Sequence, residues 1–314
     1  MTKERLFAGQ SFGEYEILAS PHSAVESGSF GRVYKARHRV TGAVRALKIL
    51  RTDKPTNEAI LAMFAREVAV LRAVAGPGVP VVYEEGCVND VPFFVQEWIE
   101  GETIDSYLTR GSYGRTPHAV MKIIDPLAKV LGRVHRHGYV HRDLAPCNIM
   151  RRSSGEIVLI DFGLACRKGE VVLKDEAFGN AYYLSPEQAD QQEAHPAHDE
   201  FSLGVLAYEL VTGENPLRGY VNPRVPVHPQ IQVRSLLKQR AVRIPPIHSF
   251  LRAATVPSAF AEAIERAVSL EQSHRFPTVE GFRRCCMRAS SLPALTPAES
   301  LLLHAAAKLL SALS

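Results

Sequence analysis

Two carboxylates and one amide in the middle of the chain have types and spacing suited to metal-dependent chemistry. Asp143 is followed five positions later by Asn148, and Asp161 opens the tripeptide Asp161-Phe162-Gly163. The side-chain oxygens of Asn and Asp are hard ligands of the kind that Mg²⁺ prefers, and bound Mg²⁺ commonly bridges nucleotide phosphates. The remaining aspartate would orient an attacking hydroxyl and accept its proton. The set therefore predicts phosphoryl transfer from a magnesium nucleotide.

A single lysine interrupts an apolar, strand-like segment that runs from Val44 to Leu50. Lys48 is costly among such neighbours unless an acidic group pairs with it. Glu67 follows nineteen residues later, in a segment whose apolar residues have helical spacing. These apolar residues are Met63, Phe64, Val68 and Leu71. We expect a pair between Lys48 and Glu67; the alternative is an edge lysine and a solvated helix glutamate.

Three motifs occur in a fixed order: His141-Arg142-Asp143, Asp161-Phe162-Gly163 and Ser185-Pro186-Glu187. Together they resemble the catalytic core of a eukaryotic-type protein kinase, and they are most similar to the bacterial Ser/Thr protein kinases of that superfamily. The resemblance runs from about residue 15 to residue 284. It implies an α+β, bilobal protein-kinase-like fold, with an antiparallel sheet and one helix in the N-lobe and a mostly helical C-lobe.

The resemblance also implies a division of the chain. Residues 1–14 would form an N-terminal leader, residues 15–288 the protein kinase domain, and residues 289–314 a C-terminal amphipathic helix. The expected parts of the kinase domain are an N-lobe over 15–97, a hinge over 97–101 and a C-lobe over 102–288.

Site roles follow from the same resemblance. Asp143 would be the catalytic base, and Asn148 and Asp161 the Mg²⁺ ligands. Lys48 would hold the phosphates of ATP, and Glu67 would orient the lysine. The expected reaction therefore uses ATP and Mg²⁺.

The ATP site implied by the resemblance combines a glycine-rich loop with a hinge. Gly28 and Gly31 match the second and third glycines of the kinase loop, but Glu26 stands where the first belongs, and its charge would weaken nucleotide binding. The Glu97 carbonyl would accept from the adenine amino group, and the Ile99 N–H would donate to the ring. The expected ATP-binding residues are Gly28, Ser29, Phe30, Gly31, Val33, Ala46, Lys48, Glu97, Ile99 and Met150.

Two further positions depart from the kinase pattern near the catalytic aspartate. Ala145 replaces the lysine that Ser/Thr kinases place two residues after that aspartate, and Asn180 replaces a threonine that usually contacts it. The tyrosine-kinase solution, an arginine at position 147, is absent because Cys147 stands there. A missing cation should weaken stabilisation of the transferring phosphoryl group. Arg152 or Lys168 could substitute for this cation from elsewhere in the chain.

No Ser or Thr lies between Asp161 and Gly179, the segment that carries a regulatory phosphate in many kinases. Asp175 and Glu176 lie where such a phosphate usually sits, opposite Arg142. We hypothesise that one of these carboxylates replaces the phosphate; the alternative is two exposed loop carboxylates.

Other residues are expected to support the second lobe. Glu187 should pair with Arg275, and Asp199 should anchor the backbone of the catalytic loop, as the resemblance implies. Apolar periodicity predicts helices over 104–109 and 117–137, with Gly138 ending the second. An apolar stretch over 205–212 suits a buried helix.

The last third of the chain contains two segments with less defined roles. Residues 217–257 are rich in proline and basic residues and are expected to form an ordered irregular connection. Thr296-Pro297-Ala298-Glu299 predicts a helix start. The helix that follows has a leucine-rich side, from Leu301 to Leu313, which is expected to dock on the second lobe or, as a second choice, to mediate self-association.

Composition excludes several classes of protein. The net charge of +4 is too small and dispersed to indicate nucleic-acid binding, and no apolar run reaches the length of a membrane span. Neither is a secretory signal evident at the N-terminus. The five cysteines are odd in number and contain no C-x-x-C pair, which favours a reducing cytoplasm over a disulfide framework or zinc site.

The sequence therefore predicts an ATP-dependent protein kinase that phosphorylates Ser or Thr of protein substrates. A pseudokinase scaffold with little or no phosphotransfer is the alternative, which Glu26, Ala145 and Asn180 favour. A small-molecule phosphotransferase on the same fold is a third hypothesis, and the Ser185-Pro186-Glu187 motif argues against it.

Overall fold

The computed structural model describes residues 6–19, 31–51, 58–111, 114–171 and 180–312. The chain separates into two compact units, one formed by Met1–Gly101 with Met150–Ala165 and the other by Glu102–Ile149 with Cys166–Ser314. Glu26, the loop residues Gly28, Ser29 and Phe30, and the carboxylates Asp175 and Glu176 lie outside the described residues. The hypotheses about them therefore stay predictions.

The described residues form strands and helices that are numbered in chain order. The strands are β1 (Ser11–Phe12), β2 (Tyr15–Ile17), β3 (Gly31–His38), β4 (Val44–Leu50), β5 (Val82–Val88), β6 (Val91–Glu97), β7 (Gly101–Thr103), β8 (Tyr139–Val140), β9 (Ile149–Arg152), β10 (Ile157–Leu159) and β11 (Cys166–Arg167). The helices are α1 (Glu58–Ala73), α2 (Ile104–Thr109), α3 (Pro117–Arg136), α4 (Pro186–Ala189), α5 (Pro196–Thr212), α6 (Pro229–Lys238), α7 (Ser258–Ala267), α8 (Val279–Ala289) and α9 (Pro297–Ala312).

The first unit is built on a six-stranded antiparallel sheet in the order β1-β2-β3-β4-β6-β5. Short connections suit antiparallel neighbours, and Asn89 and Asp90 adopt the left-handed backbone conformation that a tight β5–β6 turn requires. Helix α1 packs on the sheet through Phe64, whose ring centroid lies 5.2 Å from that of Phe94. The observed sheet and helix confirm the predicted N-lobe.

The second unit is mostly helical. One side of α3 is buried through the apolar stripe that the sequence predicted, namely Val120, Ile123, Ile124, Leu127, Val130, Leu131 and Val134. The helix ends at Arg136, and Gly138 takes a φ of 78°, which a residue with a side chain rarely adopts. Helix α5 is buried from Ala197 to Thr212, which includes the apolar stretch 205–212 that was expected to form a buried helix.

The prediction for residues 217–257 was incomplete. Helix α6 lies within this segment, where Pro229 occupies its first turn and the His228 ring accepts a hydrogen bond from the Gln230 N–H. Val233 and Leu237, four residues apart, bury one face of the helix. Proline density concealed the helix because Pro229 starts it rather than interrupting it.

The docking prediction for the C-terminal helix was wrong about the face. The predicted start is present, since Thr296 and Glu299 form reciprocal capping bonds. Helix α9 packs beside the turn Ile247–Ser249 through its less apolar side, where Ala307 and Ser300 are buried and His304 Nδ1 lies 2.8 Å from the His248 carbonyl. The leucines expected to dock, Leu301, Leu302 and Leu309, are exposed.

Across the described residues, no helix combines the length and apolar character needed to cross a lipid bilayer.

Candidate active site

Three charged side chains meet inside the first unit. Lys48 Nζ lies 2.6 and 2.8 Å from the two carboxylate oxygens of Glu67 and 3.2 Å from Asp161 Oδ1. Strand β4 carries the lysine, helix α1 carries the glutamate, and the aspartate follows β10 by two residues. Lys48 and Glu67 are only 4% and 3% exposed, so the pair predicted from the sequence is present and is shielded from water.

Burial and charge act in opposite directions on this cluster. Burial by itself would lower the pKa of Lys48, but the Asp161 and Glu67 carboxylates outweigh it and raise that pKa above its ordinary value. The lysine therefore keeps its positive charge throughout the physiological pH range. A fixed cation beside two carboxylates can bind phosphate oxygens, provided that the carboxylates hold its position.

The backbone around Asp161 determines where its carboxylate points. Asp161 has a φ of 64°, and its Oδ1 accepts the Gly163 N–H at 3.1 Å. A Cβ added to Gly163 would lie 3.1 Å from this same oxygen, so a side chain there would require the carboxylate to shift by a few tenths of an ångström. Phe162 is fully buried, which limits the movement of the tripeptide.

Gly31, at the start of β3, makes a close approach to the lysine. A Cβ at this position would lie 2.9 Å from Lys48 Cε and 3.1 Å from Cγ, so a side chain would displace the lysine stem. All of the other described residues expected at the nucleotide also belong to the first unit. Val33 and Ala46 lie on β3 and β4, Glu97 ends β6, Ile99 follows it, and Met150 lies on β9.

Two neutral donors hold Asp143 in the second unit. Its Oδ1 accepts the backbone N–H of Asn180 at 3.1 Å, and its Oδ2 accepts the Asn148 amide at 2.8 Å. The same Asn148 amide also donates to the Asp143 carbonyl at 2.9 Å. These bonds fix the rotamer of the aspartate and turn the other amide atom of Asn148, its oxygen, away from it.

The loop that carries Asp143 is anchored to helix α5. The Asp199 carboxylate accepts the backbone N–H groups of His141 at 2.8 Å and Arg142 at 2.7 Å, as the sequence predicted. His135 Nε2 also contacts it at 2.7 Å. Burial would raise the pKa of Asp199, but the bonds from His135 and the Arg142 N–H hold this pKa below its ordinary value. The carboxylate therefore stays ionised.

Two of these supporting residues were missed in the sequence. His135 lies six positions before His141, on the last turn of α3, and Gln188 Nε2 donates to the Arg142 carbonyl at 2.7 Å. His135 could have been predicted to have a supporting role, because it is a polar residue on the buried side of a helix end. Nothing in the local pattern distinguished Gln188 from an exposed glutamine.

The predicted pair between Glu187 and Arg275 is present and fully buried. The two carboxylate oxygens receive the two terminal guanidinium nitrogens at 2.9 Å each, a bidentate geometry. The pair joins helix α4 to the segment before α8. Such a bond fixes the stretch from Asn180 to Glu187, which includes the N–H that reaches Asp143.

The two departures at Asp143 differ in their consequences. Ala145 is 1% exposed and supplies no polar group. Asn180 contacts Asp143 through its backbone, while its side-chain oxygen accepts the Tyr182 N–H at 3.1 Å. Part of the usual threonine contact is therefore replaced by a main-chain donor, whereas position 145 itself contributes no cation.

Each unit by itself offers an oxygen donor of the kind that Mg²⁺ prefers. Asp161 offers a carboxylate whose direction is set by backbone, and Asn148 offers an amide oxygen whose partner nitrogen is already committed to Asp143. Both are hard oxygen ligands. The close approach of Gly31 to Lys48 suits a backbone that must cover phosphate without a side chain.

Comparison with known proteins agrees with this geometry. The model for the protein kinase domain matches residues 21–283. The serine/threonine-protein kinase PrkC of Bacillus subtilis is 27% identical over 270 residues, covering 85% of this chain and 39% of PrkC. PknL of Mycobacterium tuberculosis, also a serine/threonine-protein kinase, is 35% identical over 198 residues, covering 62% of this chain and 49% of PknL. The chain thus matches half or less of each relative.

A solved structure supports the fold. The crystal structure of a mutant form of the Mycobacterium tuberculosis PknI kinase domain matches with a TM-score of 0.66 at 20% identity, covering 92% of this chain and all of that one. The predicted α+β, bilobal kinase fold is confirmed. The family model matches most of the chain, and the structure contains both the Lys48–Glu67 pair and the bonds that hold Asp143. The chain therefore belongs to the protein kinase family.

Proposed function

We propose that this protein is an ATP-dependent kinase that phosphorylates Ser or Thr hydroxyls of protein substrates. The observation that carries the proposal is the orientation of Asp143, whose two carboxylate oxygens are held by Asn148 and Asn180 on a loop anchored to Asp199. A carboxylate fixed in this way can direct a hydroxyl toward a phosphorus atom. The names of PrkC and PknL support Ser and Thr as targets.

Each residue of the site has a defined part in this reaction. The substrate hydroxyl donates a hydrogen bond to Asp143 and gives up its proton to it as its oxygen attacks the γ-phosphorus. The bond from that phosphorus to the β,γ-bridging oxygen breaks, and ADP leaves. Lys48, held by Glu67, balances phosphate charge before and during the transfer.

Asn148 and Asp161 are the proposed ligands of Mg²⁺, which when bound neutralises charge on the phosphate oxygens. The Glu97 carbonyl and the Ile99 N–H are proposed to bind adenine, with Val33, Ala46 and Met150 against its faces. The cytoplasm is the proposed compartment, since all five cysteines are free thiols.

A pseudokinase scaffold is the second candidate. The observation in its favour is Ala145, which cannot supply the cation that Ser/Thr kinases place at this position. A protein of this kind would bind nucleotide or partners and transfer no phosphate. Nucleotide binding alone does not distinguish the two candidates, so turnover must separate them.

The deciding experiment is transfer of labelled γ-phosphate from Mg-ATP to the protein itself and to a generic Ser/Thr-containing protein. Asp143→Asn is the test variant, and Asp105→Asn, at an exposed aspartate on α2, is its matched control. We expect label with the wild type and the control, and a loss of about 100-fold or more with Asp143→Asn. Equal labelling by both variants would reject Asp143 as the base. A thermal shift with ATP but no label would establish the scaffold instead.

A further inference from the structure

One long stretch of the second unit is depleted of negative charge. Between Glu214 and Glu262 the sequence contains no Asp or Glu but seven Arg and Lys residues. The chain as a whole has 37 basic and 33 acidic residues, so the imbalance is local. Positive charge concentrated in this way attracts anions rather than merely increasing solubility.

Four arginines of this stretch, Arg218, Arg224, Arg243 and Arg252, are exposed and form no ion pair with any residue of the described ranges. Hydrogen bonds join the segments that carry the first three, which we call the arginine platform. Neighbouring cations differ, since Lys238 pairs with Asp190 at 3.5 Å and Arg240 with Glu271 at 3.4 Å. The platform guanidinium groups are therefore available to an external partner.

Hydrogen bonds fix the backbone that carries the platform. The Tyr220 hydroxyl donates to the Arg243 carbonyl and accepts from its N–H, which joins two of the three segments. The Gln232 side chain accepts the Asn222 N–H at 2.9 Å and donates to the Asn222 carbonyl at 3.2 Å. The arginines thus project from an ordered surface, which lowers the entropy cost of binding.

A chain of contacts connects the platform to Asp143. The Arg218 guanidinium lies 5.4 Å from the centroid of the Tyr182 ring. The Tyr182 N–H donates to the Asn180 side chain, and the Asn180 N–H donates to Asp143. Arg218 is therefore linked to the Asp143 carboxylate through Tyr182 and Asn180, within the same unit.

We propose that the arginine platform binds acidic residues of the protein substrate that flank the phosphorylated Ser or Thr. Arginine suits this role because its planar guanidinium donates two parallel hydrogen bonds to one carboxylate. The inference rests on the proposed kinase function for the hydroxyl at Asp143. It specifies an acidic substrate class that the family membership does not supply.

The test compares two peptides that are identical except that Asp and Glu around the central Ser are replaced by Asn and Gln. Binding is measured by fluorescence anisotropy without ATP, and kcat/KM is measured with Mg-ATP. The test variant is Arg218→Ala, Arg224→Ala and Arg243→Ala combined. Its matched control removes three exposed cations elsewhere in the unit, Lys129→Ala, Arg284→Ala and Arg288→Ala. Arg224→Glu alone is a second variant if the triple variant does not fold.

We expect the wild type and the control to prefer the acidic peptide. The triple variant should lose about tenfold in affinity and in kcat/KM for it, mainly through KM, as three exposed charge pairs allow. The neutral peptide should change by less than about twofold, and added salt should narrow the difference between peptides.

The outcomes separate this proposal from the kinase proposal. Turnover without preference for the acidic peptide overturns the platform and leaves the kinase function intact. Platform-dependent binding of the acidic peptide without turnover supports the platform while rejecting the kinase function. Tighter platform-dependent binding of a single-stranded RNA oligomer than of the acidic peptide would overturn the proposal in favour of a nucleic-acid surface.

Discussion

The two units hold their charged site residues in different ways. In the first unit, Lys48 lies between two carboxylates, and each charge depends on the others because the cluster is shielded from water. In the second unit, one side-chain amide and one backbone N–H donate to the Asp143 carboxylate. The first arrangement is built from charges, whereas the second uses neutral donors and lacks the lysine at position 145.

This contrast bears on the departure at position 145. Removal of a member of a buried ionic cluster leaves an unpaired charge, which costs about 3–5 kcal/mol. At Asp143, the two neutral donors contact the carboxylate whichever residue occupies position 145. Ala145 therefore does not threaten the fold, and its cost falls on catalysis.

Lys48→Met should have the largest effect, because it leaves Glu67 and Asp161 as neighbouring carboxylates without this cation. We expect the free energy of unfolding to fall by about 3–5 kcal/mol. Urea denaturation measures this loss. Lys35→Met is the control, since Lys35 pairs with the largely exposed Glu100 and should cost less than about 1 kcal/mol. Equal losses would show that the first unit does not depend on its ionic cluster.

Glu200, a buried carboxyl of the second unit, should make stability depend on pH. Its Oε1 accepts the Phe276 N–H at 2.8 Å, and burial raises its pKa to about 7. The folded protein therefore keeps a proton on Glu200 at pH values above about 4.5, where the unfolded chain has released it. Proton binding thus contributes about 3 kcal/mol to the free energy of unfolding below about pH 4.5, and this contribution is lost as the pH rises to 7.

Glu200→Gln tests that contribution, because the amide keeps an acceptor and does not titrate. The difference in free energy of unfolding between variant and wild type should change by about 3 kcal/mol between pH 4.5 and 7.5. Burial lowers the pKa of His198 to about 3, so this residue contributes with the opposite sign. Because both proteins contain His198, its contribution cancels when their free energies of unfolding are subtracted. A pH-independent difference would show that Glu200 does not bind a proton on folding.

Residue type and motif order were sufficient to predict the charged pairs and several helix limits. Lys48 was matched with Glu67 because a buried charge requires a partner of opposite sign, and the pair of Glu187 with Arg275 followed from the kinase resemblance. Helix limits at Gly138 and Thr296 were predicted because backbone conformation and capping depend on local residue types. These features could be predicted because the residue types that cause them can be identified directly in the sequence.

The sequence did not predict features that depend on which of several similar helix faces becomes buried. The leucines of α9 formed the more apolar side, yet Ala307 and Ser300 face the protein, because small side chains let the helix approach the turn at His248. Likewise, the backbone contact from Asn180 to Asp143 involves no side chain of Asn180. Residue type therefore could not predict it.

Ala145→Lys tests whether the missing cation limits the second unit. A positive charge two residues after Asp143 would stabilise charge on the transferring phosphoryl group, and we expect kcat to rise by about tenfold. Ala145→Met is the control for size, since Ala145 is buried, and it should lower kcat or leave it unchanged. Steady-state kinetics with saturating Mg-ATP measure both. A lysine variant no faster than the methionine variant would mean that another group already supplies the charge.

Asn180→Ala should have the smallest effect, because the donor to Asp143 is the backbone N–H, which alanine retains. The lost side chain accepts the Tyr182 N–H, so stability should fall by about 1 kcal/mol and kcat by less than about threefold. Urea denaturation and steady-state kinetics measure the two effects.

Asn148→Ala is the matched comparison, since the Asn148 amide contacts the Asp143 carboxylate directly and its oxygen is a proposed metal ligand. Its kcat should fall by about 100-fold or more. If Asn180→Ala proved as damaging as Asn148→Ala, the side chain at 180 would act on catalysis itself. The second unit would then depend on two side-chain amides rather than on one amide and a main-chain donor.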